Sequence, residues 1–145
     1  MTDASGSKSA SETRAASWLA AGDLRPTRQR LTLAALLIGD GQDRHVTAEG
    51  LHELAGQGPA PVSLATVYNT LRAFCDAGLM MEVTVDGNRS YFDTRTDDHA
   101  HYYWEEDGKV TDAPADAVRL AQLPEPPQGC EISKIDVVIR IRRKA

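Results

Sequence analysis

The sequence predicts an α+β protein with a helical N-terminal half that ends in a β-hairpin and a small α/β C-terminal half. Apolar residues recur at helical spacing in three segments between residues 27 and 77, and two strand-like runs follow them. Near the end of the chain, apolar and polar residues alternate as they do in half-buried strands. We therefore expect two domains, over residues 1–94 and 95–145.

The N-terminal domain is expected to begin with a disordered tail over residues 1–10 and a short helix over residues 11–21. Three longer helices should follow, each after a hydroxyl side chain that can accept hydrogen bonds from the first turn. These expected cap residues are Thr27, Thr47 and Ser63.

A two-stranded hairpin is predicted next, with strands at residues 79–85 and 89–93 joined by an Asp-Gly-Asn turn. Three helices followed by such a hairpin is the element order of a winged helix-turn-helix domain. The fourth helix is the most regular, and its apolar positions should face the core. These positions are Leu64, Val67, Leu71, Phe74 and Cys75.

The C-terminal domain is predicted to contain strands at residues 99–105, 109–112 and 132–142 and a short helix over residues 114–123. So few strands leave an edge with unpaired backbone groups, and a second copy of the chain would cover it. We therefore expect a homodimer.

Composition excludes several classes of protein. The two cysteines, Cys75 and Cys130, form no CxxC pair, which excludes a disulfide framework and a zinc site of four cysteines. No apolar run approaches the roughly 18 residues that span a bilayer. Residues 1–14 also lack the apolar segment of a signal peptide, so we expect a cytoplasmic protein without a membrane partner. The net charge of −5 disfavours coating of nucleic acid by bulk charge but leaves a local basic patch open.

The fourth helix carries residues suited to the major groove of DNA. Thr66, Tyr68 and Asn69 are left on or near its outer face, where Asn can bond adenine and Tyr can contact a thymine methyl or a phosphate. Arg25 and Arg30 could anchor phosphates at the edge of this surface. The alternative is that Tyr68 and Asn69 are ordinary surface residues.

The histidines give a second signal. His99 and His101 are two residues apart, and on a strand both imidazoles would point to one face and reach one ion. The alternative is a pair of structural histidines. Nearby carboxylates that could complete a metal site are Asp93, Asp97, Asp98 and Asp112.

An aromatic run, Tyr-Tyr-Trp at residues 102–104, follows the second of these histidines. Packing in a core or an interface is the favoured interpretation. The functional alternative is a wall for a planar ligand such as a porphyrin.

Four motifs resemble the ferric uptake regulator (Fur) superfamily: PTRQRL at residues 26–31, HVTAE at 45–49, SLATVYNTL at 63–71 and AGL at 77–79. The ending, with LPEPP from residue 123 and IDVVIRIRRK from residue 135, is most similar to the iron response regulators (Irr) of alphaproteobacteria. The resemblance implies an N-terminal winged helix, a C-terminal α/β dimerisation domain and a homodimer on palindromic, A·T-rich DNA.

The resemblance also implies a metal site between the two domains for Fe, Mn or Zn. The matching positions in this chain are His45, Asp93, His99, His101 and Asp112.

Departures from the family pattern point towards Irr. The CxxC of zinc-containing Fur proteins falls on Trp104 and Asp107, so the structural four-cysteine zinc is expected to be absent. A second regulatory site would involve Ala100, which cannot ligate. Irr proteins are thought to bind DNA when iron is scarce and to lose it when haem binds, which here would involve His99 and His101.

The leading hypothesis is therefore a transcription regulator of iron and haem homeostasis that is inactivated by haem, and not an enzyme. One alternative is a metal-activated Fur-type repressor that senses Fe(II), Mn(II) or Zn(II). Another, from a different class, is a non-haem metalloenzyme that uses two histidines and a carboxylate as an iron site.

Overall fold

The computed structural model describes residues 3–86 and 89–145, and for residues 3–9 the backbone only. It confirms the α+β class. We call α1 to β3 the N-terminal unit and β4 to β6 the C-terminal unit. The elements are α1 (Asp3–Ala21), α2 (Arg28–Ile38), β1 (His45–Val46), α3 (Ala48–Gly56), α4 (Leu64–Asp76), β2 (Met81–Asp86), β3 (Arg89–Asp93), β4 (His101–Trp104), β5 (Lys109–Asp112) and β6 (Val138–Ile141).

The three predicted N-caps are confirmed. The hydroxyl oxygens of Thr27, Thr47 and Ser63 each accept a hydrogen bond from the backbone N–H three residues later, at 3.3, 3.0 and 3.2 Å. These bonds satisfy N–H groups that have no partner within the helix. Gly78, with φ +76°, follows the end of α4. Leu64 is a correction, because it lies at the first position of α4 and is 37% exposed.

Helix α1 begins much earlier than the sequence predicts. The disordered tail was expected over residues 1–10, yet the backbone is helical from Asp3, and of these ten residues only 1 and 2 lie outside the described residues. No proline interrupts this stretch, so the helix that packs through Ala15 and Leu19 continues towards the N-terminus. None of the described helices is both long and apolar enough to cross a membrane.

Two three-stranded sheets follow from the strand pairing. The predicted hairpin is present as β2 and β3, although its turn residues 87–88 lie outside the described residues. The two-residue strand β1, which the sequence did not predict, pairs antiparallel with β3 and completes the order β1-β3-β2. In the second sheet β4 is central, antiparallel to β5 and parallel to β6.

The C-terminal predictions need three corrections. No helix forms at residues 114–123, where Asp116 adopts a left-handed φ of +63° that α-helix geometry forbids. The strand expected at residues 132–142 shortens to β6, because the parallel pairing with β4 covers only these four residues. The strand expected at residues 99–105 shortens to β4, which leaves His99 in the segment before it.

Two hydrophobic clusters hold the molecule together. The larger packs the helices of the N-terminal unit, with Leu33, Leu51 and Phe74 fully buried. The smaller lies between the two sheets and contains Val83, Tyr91, Tyr103 and Val110. Because strands from both units contribute to it, the junction between the units is partly a packed interior.

Candidate metal centre

Strand pairing builds a cluster of histidines and aspartates at the junction of the two units. In the first sheet His45 lies opposite Asp93, and in the second sheet His101 lies opposite Asp112. Directly opposed residues on antiparallel strands have neighbouring side chains. The segment before β4 adds His99, so the structure brings together all five residues that the resemblance assigned to a metal site. One donor atom from each lies within 4.8 Å of every other.

Asp93 is the centre of this five-donor cluster. Its carboxylate is fully buried, and Oδ2 lies 3.0, 3.0 and 2.9 Å from Nε2 of His45, His99 and His101. Asp112 approaches from the opposite sheet, with Oδ1 2.9 Å from the Nε2 atoms of His45 and His99. A carboxylate placed among three imidazoles supplies negative charge where ring nitrogens converge.

Two buried atoms of the cluster lack hydrogen bonds despite these short contacts. Neither His45 Nε2 nor Asp112 Oδ1 has a hydrogen-bond partner within the described residues. Buried polar atoms that converge without bonding one another are left uncompensated, and a cation between them would satisfy both.

The orientation of His99 is also suited to a metal ligand. Its Nδ1 lies 2.5 Å from the carbonyl oxygen of Asp97. Because a carbonyl only accepts, Nδ1 carries the proton, and in the neutral ring Nε2 presents its lone pair to the cluster. A backbone carbonyl that fixes the tautomer in this way commonly supports ligating histidines.

The pKa values of Asp93 and His45 are shifted because both residues are partly or fully buried and because opposite charges lie close to them. Burial raises the pKa of Asp93, but the close imidazoles of His101 and His45 outweigh it and hold the pKa below its usual range. For His45, burial lowers the pKa, while the nearby carboxylates of Asp93 and Asp112 outweigh it and raise the pKa overall. An ionised Asp93 is the form that a cation requires.

The donor set fits a divalent transition metal. Imidazole nitrogen suits zinc and iron, and carboxylate oxygen adds affinity for manganese. The other two carboxylates considered from the sequence, Asp97 and Asp98, do not belong to the cluster. Asp97 instead pairs with Arg95 at 2.7 Å. The Asp112 side chain is 32% exposed, which leaves a route from solvent.

A cavity of about 490 Å³ lies beside His99, where the sequence analysis placed haem. Its walls are mainly apolar, with Lys134 and Asp98 among the polar residues that line it. The side chains of His99 and His101 are only 2% and 3% exposed, and both Nε2 atoms face Asp93 rather than solvent. The apolar residues lining this cavity are Ala100, Val118, Leu120, Leu123, Ile132, Ile135 and Val137.

The residues expected to contact DNA lie on the helical side of the molecule. Tyr68 and Asn69 are exposed on α4, and Thr66 is half-buried and accepts a hydrogen bond from the Ser63 hydroxyl at 3.0 Å. Arg25 precedes α2 and Arg30 lies in its first turn, where Arg30 Nη1 donates to the Arg25 carbonyl at 3.1 Å. The α4 residues and the two arginines are far apart in the sequence, but all of them belong to the N-terminal unit.

Sequence reasoning missed Glu49 as a neighbour of this surface. Tyr68 donates its hydroxyl proton to Glu49 Oε1 at 2.5 Å, which raises the pKa of Tyr68 and lowers that of Glu49. Glu49 lies in the first turn of α3. Its contact depends on the packing of α3 against α4, which spacing within one helix cannot show.

Known proteins resemble this chain in sequence and in fold. A sequence model of the ferric uptake regulator family matches residues 21–139. The chain belongs to the ferric uptake regulator family. Members of this family are transcription regulators rather than enzymes, so the metalloenzyme alternative is set aside.

Individual Fur-family relatives agree with this assignment. The peroxide-responsive repressor PerR of Staphylococcus aureus (strain Mu50) is 36% identical over 89 residues, which cover 61% of this chain and 59% of that protein. The chain thus matches the curated relatives over about three fifths of their length.

Solved structures extend the comparison to the whole fold. The ferric uptake regulator of Pseudomonas aeruginosa with manganese is 26% identical with a TM-score of 0.65, covering 90% of this chain and 98% of that one. The ferric uptake regulator of Vibrio cholerae, at 22% identity and a TM-score of 0.64, covers 86% and 96% and shows the shared fold alone.

Proposed function

We propose that this Fur-family chain is a DNA-binding transcription regulator whose activity responds to a divalent metal ion held by the five-donor cluster. The observation that carries the proposal is the meeting of His45, Asp93, His99, His101 and Asp112 at the junction of the two units. When bound there, a cation supplies positive charge that offsets both carboxylates and links the two sheets. The surrounding residues hold the donors in place before any ion arrives.

DNA recognition is assigned to the N-terminal unit, read as a winged helix. Helix α4 would lie in the major groove with Tyr68 and Asn69 towards base edges and Thr66 near the backbone, while Arg25 and Arg30 contact phosphates. The metal site could affect DNA binding through the position of the N-terminal unit. Two of the five donors lie in the N-terminal unit, and the other three lie after β3 or in the C-terminal unit. An ion bound to all five would therefore constrain the position of the N-terminal unit relative to the C-terminal unit.

The C-terminal unit is assigned to dimerisation. A homodimer would present two copies of α4 with twofold symmetry, and a palindromic operator is the matching partner. The A·T-rich character of that operator comes from the resemblance and belongs to the same proposal, as does a cytoplasmic location.

The second candidate is an Irr-type regulator that haem inactivates. The apolar cavity beside His99 favours it, because its volume of about 490 Å³ and apolar walls suit a planar apolar ligand. Iron ligation by His99 would require the imidazole to turn away from Asp93. Haem and a divalent ion would therefore compete for His99. The two candidates predict opposite effects of these ligands on DNA binding.

Selection of operators from fragmented genomic DNA tests both candidates. The chelator-treated protein is used alone, with Mn(II) and with haem. We expect Mn(II) to change which fragments are captured, and we expect Asp93→Asn to remove that change. The matched control, His52→Ala, alters a histidine on α3 outside the cluster and should behave as the parent.

The outcomes separate the candidates. Capture that depends on Mn(II) supports the metal-responsive regulator. Capture by the metal-free protein with release by haem supports the Irr-type regulator. Failure to enrich any DNA fragment in all three conditions contradicts both.

A further inference from the structure

A second contact region joins the hairpin β2–β3 to the C-terminal unit. It runs from the hairpin towards the turn between β4 and β5, whereas the five-donor cluster lies where His101 and Asp112 pair at the other end of these strands. We call this region the hairpin seam and define it by Val83, Tyr91, Tyr103, Val110 and Arg140.

The centre of the hairpin seam is apolar and closed to solvent. Val83 is fully buried, and Tyr91, Tyr103 and Val110 are 6%, 5% and 7% exposed. The rings of Tyr91 and Tyr103 meet edge to face with their centroids 6.5 Å apart, an arrangement that aromatic pairs favour. Two residues come from each unit, so separating the units would expose apolar surface on both.

Two hydrogen bonds donated by residues of β3 cross the hairpin seam. Tyr91 donates its hydroxyl proton to the carbonyl of Gly108 at 2.6 Å. Arg89 Nη1 donates to the Tyr103 hydroxyl at 3.1 Å. Each tyrosine therefore anchors to the opposite unit through its polar end while its ring packs in the centre.

Arg140 of β6 binds the far end of the hairpin. Its Nη2 donates to the Val85 carbonyl and to Asp86 Oδ1, both at 2.9 Å, while its guanidinium lies 5.2 Å from the centre of the Tyr103 ring. Lys134 also donates to the carbonyl of Glu82. The hairpin is thus held along its length from Glu82 to Tyr91.

We infer that the hairpin seam positions the N-terminal unit against the C-terminal unit without any metal ion. None of its five residues belongs to the five-donor cluster, and its contacts are apolar packing and hydrogen bonds that need no cation. The two regions act in parallel on one junction. Loss of the ion removes one connection and leaves the other in place.

The inference rests on the proposed function and deepens it in one respect. A helical unit that stays docked without metal limits how far α4 can turn when the ion is lost, so the ion would adjust the orientation of α4 rather than establish the contact between the units. The domain arrangement itself can be tested without DNA.

The test measures one distance between the units by double electron–electron resonance. Spin labels are placed at Glu53→Cys on α3 and Lys109→Cys on β5, both exposed, in a chain carrying Cys75→Ala and Cys130→Ser. Labelled protein is diluted into unlabelled protein so that each assembly carries a single labelled chain. Measurements are made after chelation and again with Zn(II) alone.

Four variants locate the cause of the arrangement. Tyr91→Phe combined with Arg140→Gln removes hydrogen bonds of the hairpin seam and keeps the Tyr91 ring, and Tyr103→Ala removes its central ring. His99→Ala removes a cluster donor. Tyr102→Phe is the matched control, since neighbouring residues on a strand point to opposite faces.

We expect a narrow distance distribution in the chelated parent, in His99→Ala and in Tyr102→Phe, and loss of the narrow peak in the two seam variants. Should Tyr103→Ala lose its far-ultraviolet circular dichroism, the double variant decides. A chelated parent with a broad distribution that Zn(II) narrows would overturn the inference, as would unchanged peaks in both seam variants. Neither result depends on DNA binding, so failure here is distinct from failure of the proposed function.

Discussion

The two units of this protein differ in how completely one chain buries its apolar residues. The N-terminal unit packs Leu19, Leu37 and Leu71 with no exposed surface. In the C-terminal part of the chain, Leu120 is 54% exposed and Ile135 is 42% exposed, and no regular element covers them. The helical unit completes its own core, while the C-terminal unit relies on contacts from outside its own sheet.

This difference explains why the hairpin β2–β3 matters to both units. Val83 and Tyr91 supply half of the apolar centre that buries Tyr103 and Val110. The remaining exposed apolar side chains of the C-terminal part also line the cavity beside His99, and we propose that a second copy of the chain covers them. Substitutions in the two units should therefore have different effects.

The largest effect is expected in the helical core. Phe74 is fully buried and meets Trp18 edge to face at 4.9 Å. Phe74→Ala should lower the free energy of unfolding by about 3–5 kcal/mol, because it removes the ring and leaves a cavity. Urea unfolding followed by helical circular dichroism measures it. The paired variant Ile135→Ala should cost the single chain far less, and equal losses would contradict the comparison.

The next effect concerns assembly rather than folding. Leu120→Glu puts a charge on the exposed apolar surface of the C-terminal part, and burying an unpaired charge is costly. Sedimentation equilibrium should show a shift from dimer to monomer, with helical circular dichroism unchanged. Leu54→Glu, at a 43% exposed leucine of α3, is the matched control and should leave association as in the parent. An unaltered dimer in Leu120→Glu would show that this surface is not the dimer contact.

A smaller effect is expected at the DNA surface. Tyr68→Ala should weaken binding to a selected operator by about 1–3 kcal/mol if the ring contacts a base. Tyr68→Phe separates the ring from the hydroxyl that binds Glu49. Fluorescence anisotropy with labelled DNA measures both, and Glu53→Ala on the exposed face of α3 is the control. Parent-like affinity of Tyr68→Ala would remove Tyr68 from the contact surface.

The smallest effect is expected for the arginines. Arg30→Ala should weaken operator and unrelated DNA alike and reduce the salt slope of binding by about 1, since a phosphate contact carries no sequence information. The measurement is affinity across a series of salt concentrations. A loss confined to the operator would instead assign Arg30 to base recognition.

Local patterns were sufficient to predict where α2, α3 and α4 begin. Thr27, Thr47 and Ser63 were identified as caps because a hydroxyl before a helical segment satisfies the same N–H groups in any fold. The predicted helix at residues 114–123 was wrong, because Pro114 was compatible with a helix start but Asp116 takes a left-handed conformation. Strand β1 was missed because two residues carry no periodicity.

The metal centre, too, could be predicted only in part from local sequence patterns. From residue types alone, only His99 and His101 and the carboxylates near them pointed to a metal site. His45 and Asp93 meet because β1 pairs with β3, a contact between residues far apart in the chain. The inclusion of His45 came from the family resemblance alone, and Glu49 beside Tyr68 was missed because neither spacing nor resemblance indicated it.

Metal binding by the five-donor cluster is the central claim, and calorimetric titration of the chelated protein with Zn(II) tests it most directly. We predict that the parent binds a single ion per chain and that His52→Ala does the same. His99→Ala and Asp93→Asn should lose affinity by more than about tenfold, the loss that follows even from changing a residue that only supports a ligand. Parent-like Zn(II) binding by both His99→Ala and Asp93→Asn would contradict the account.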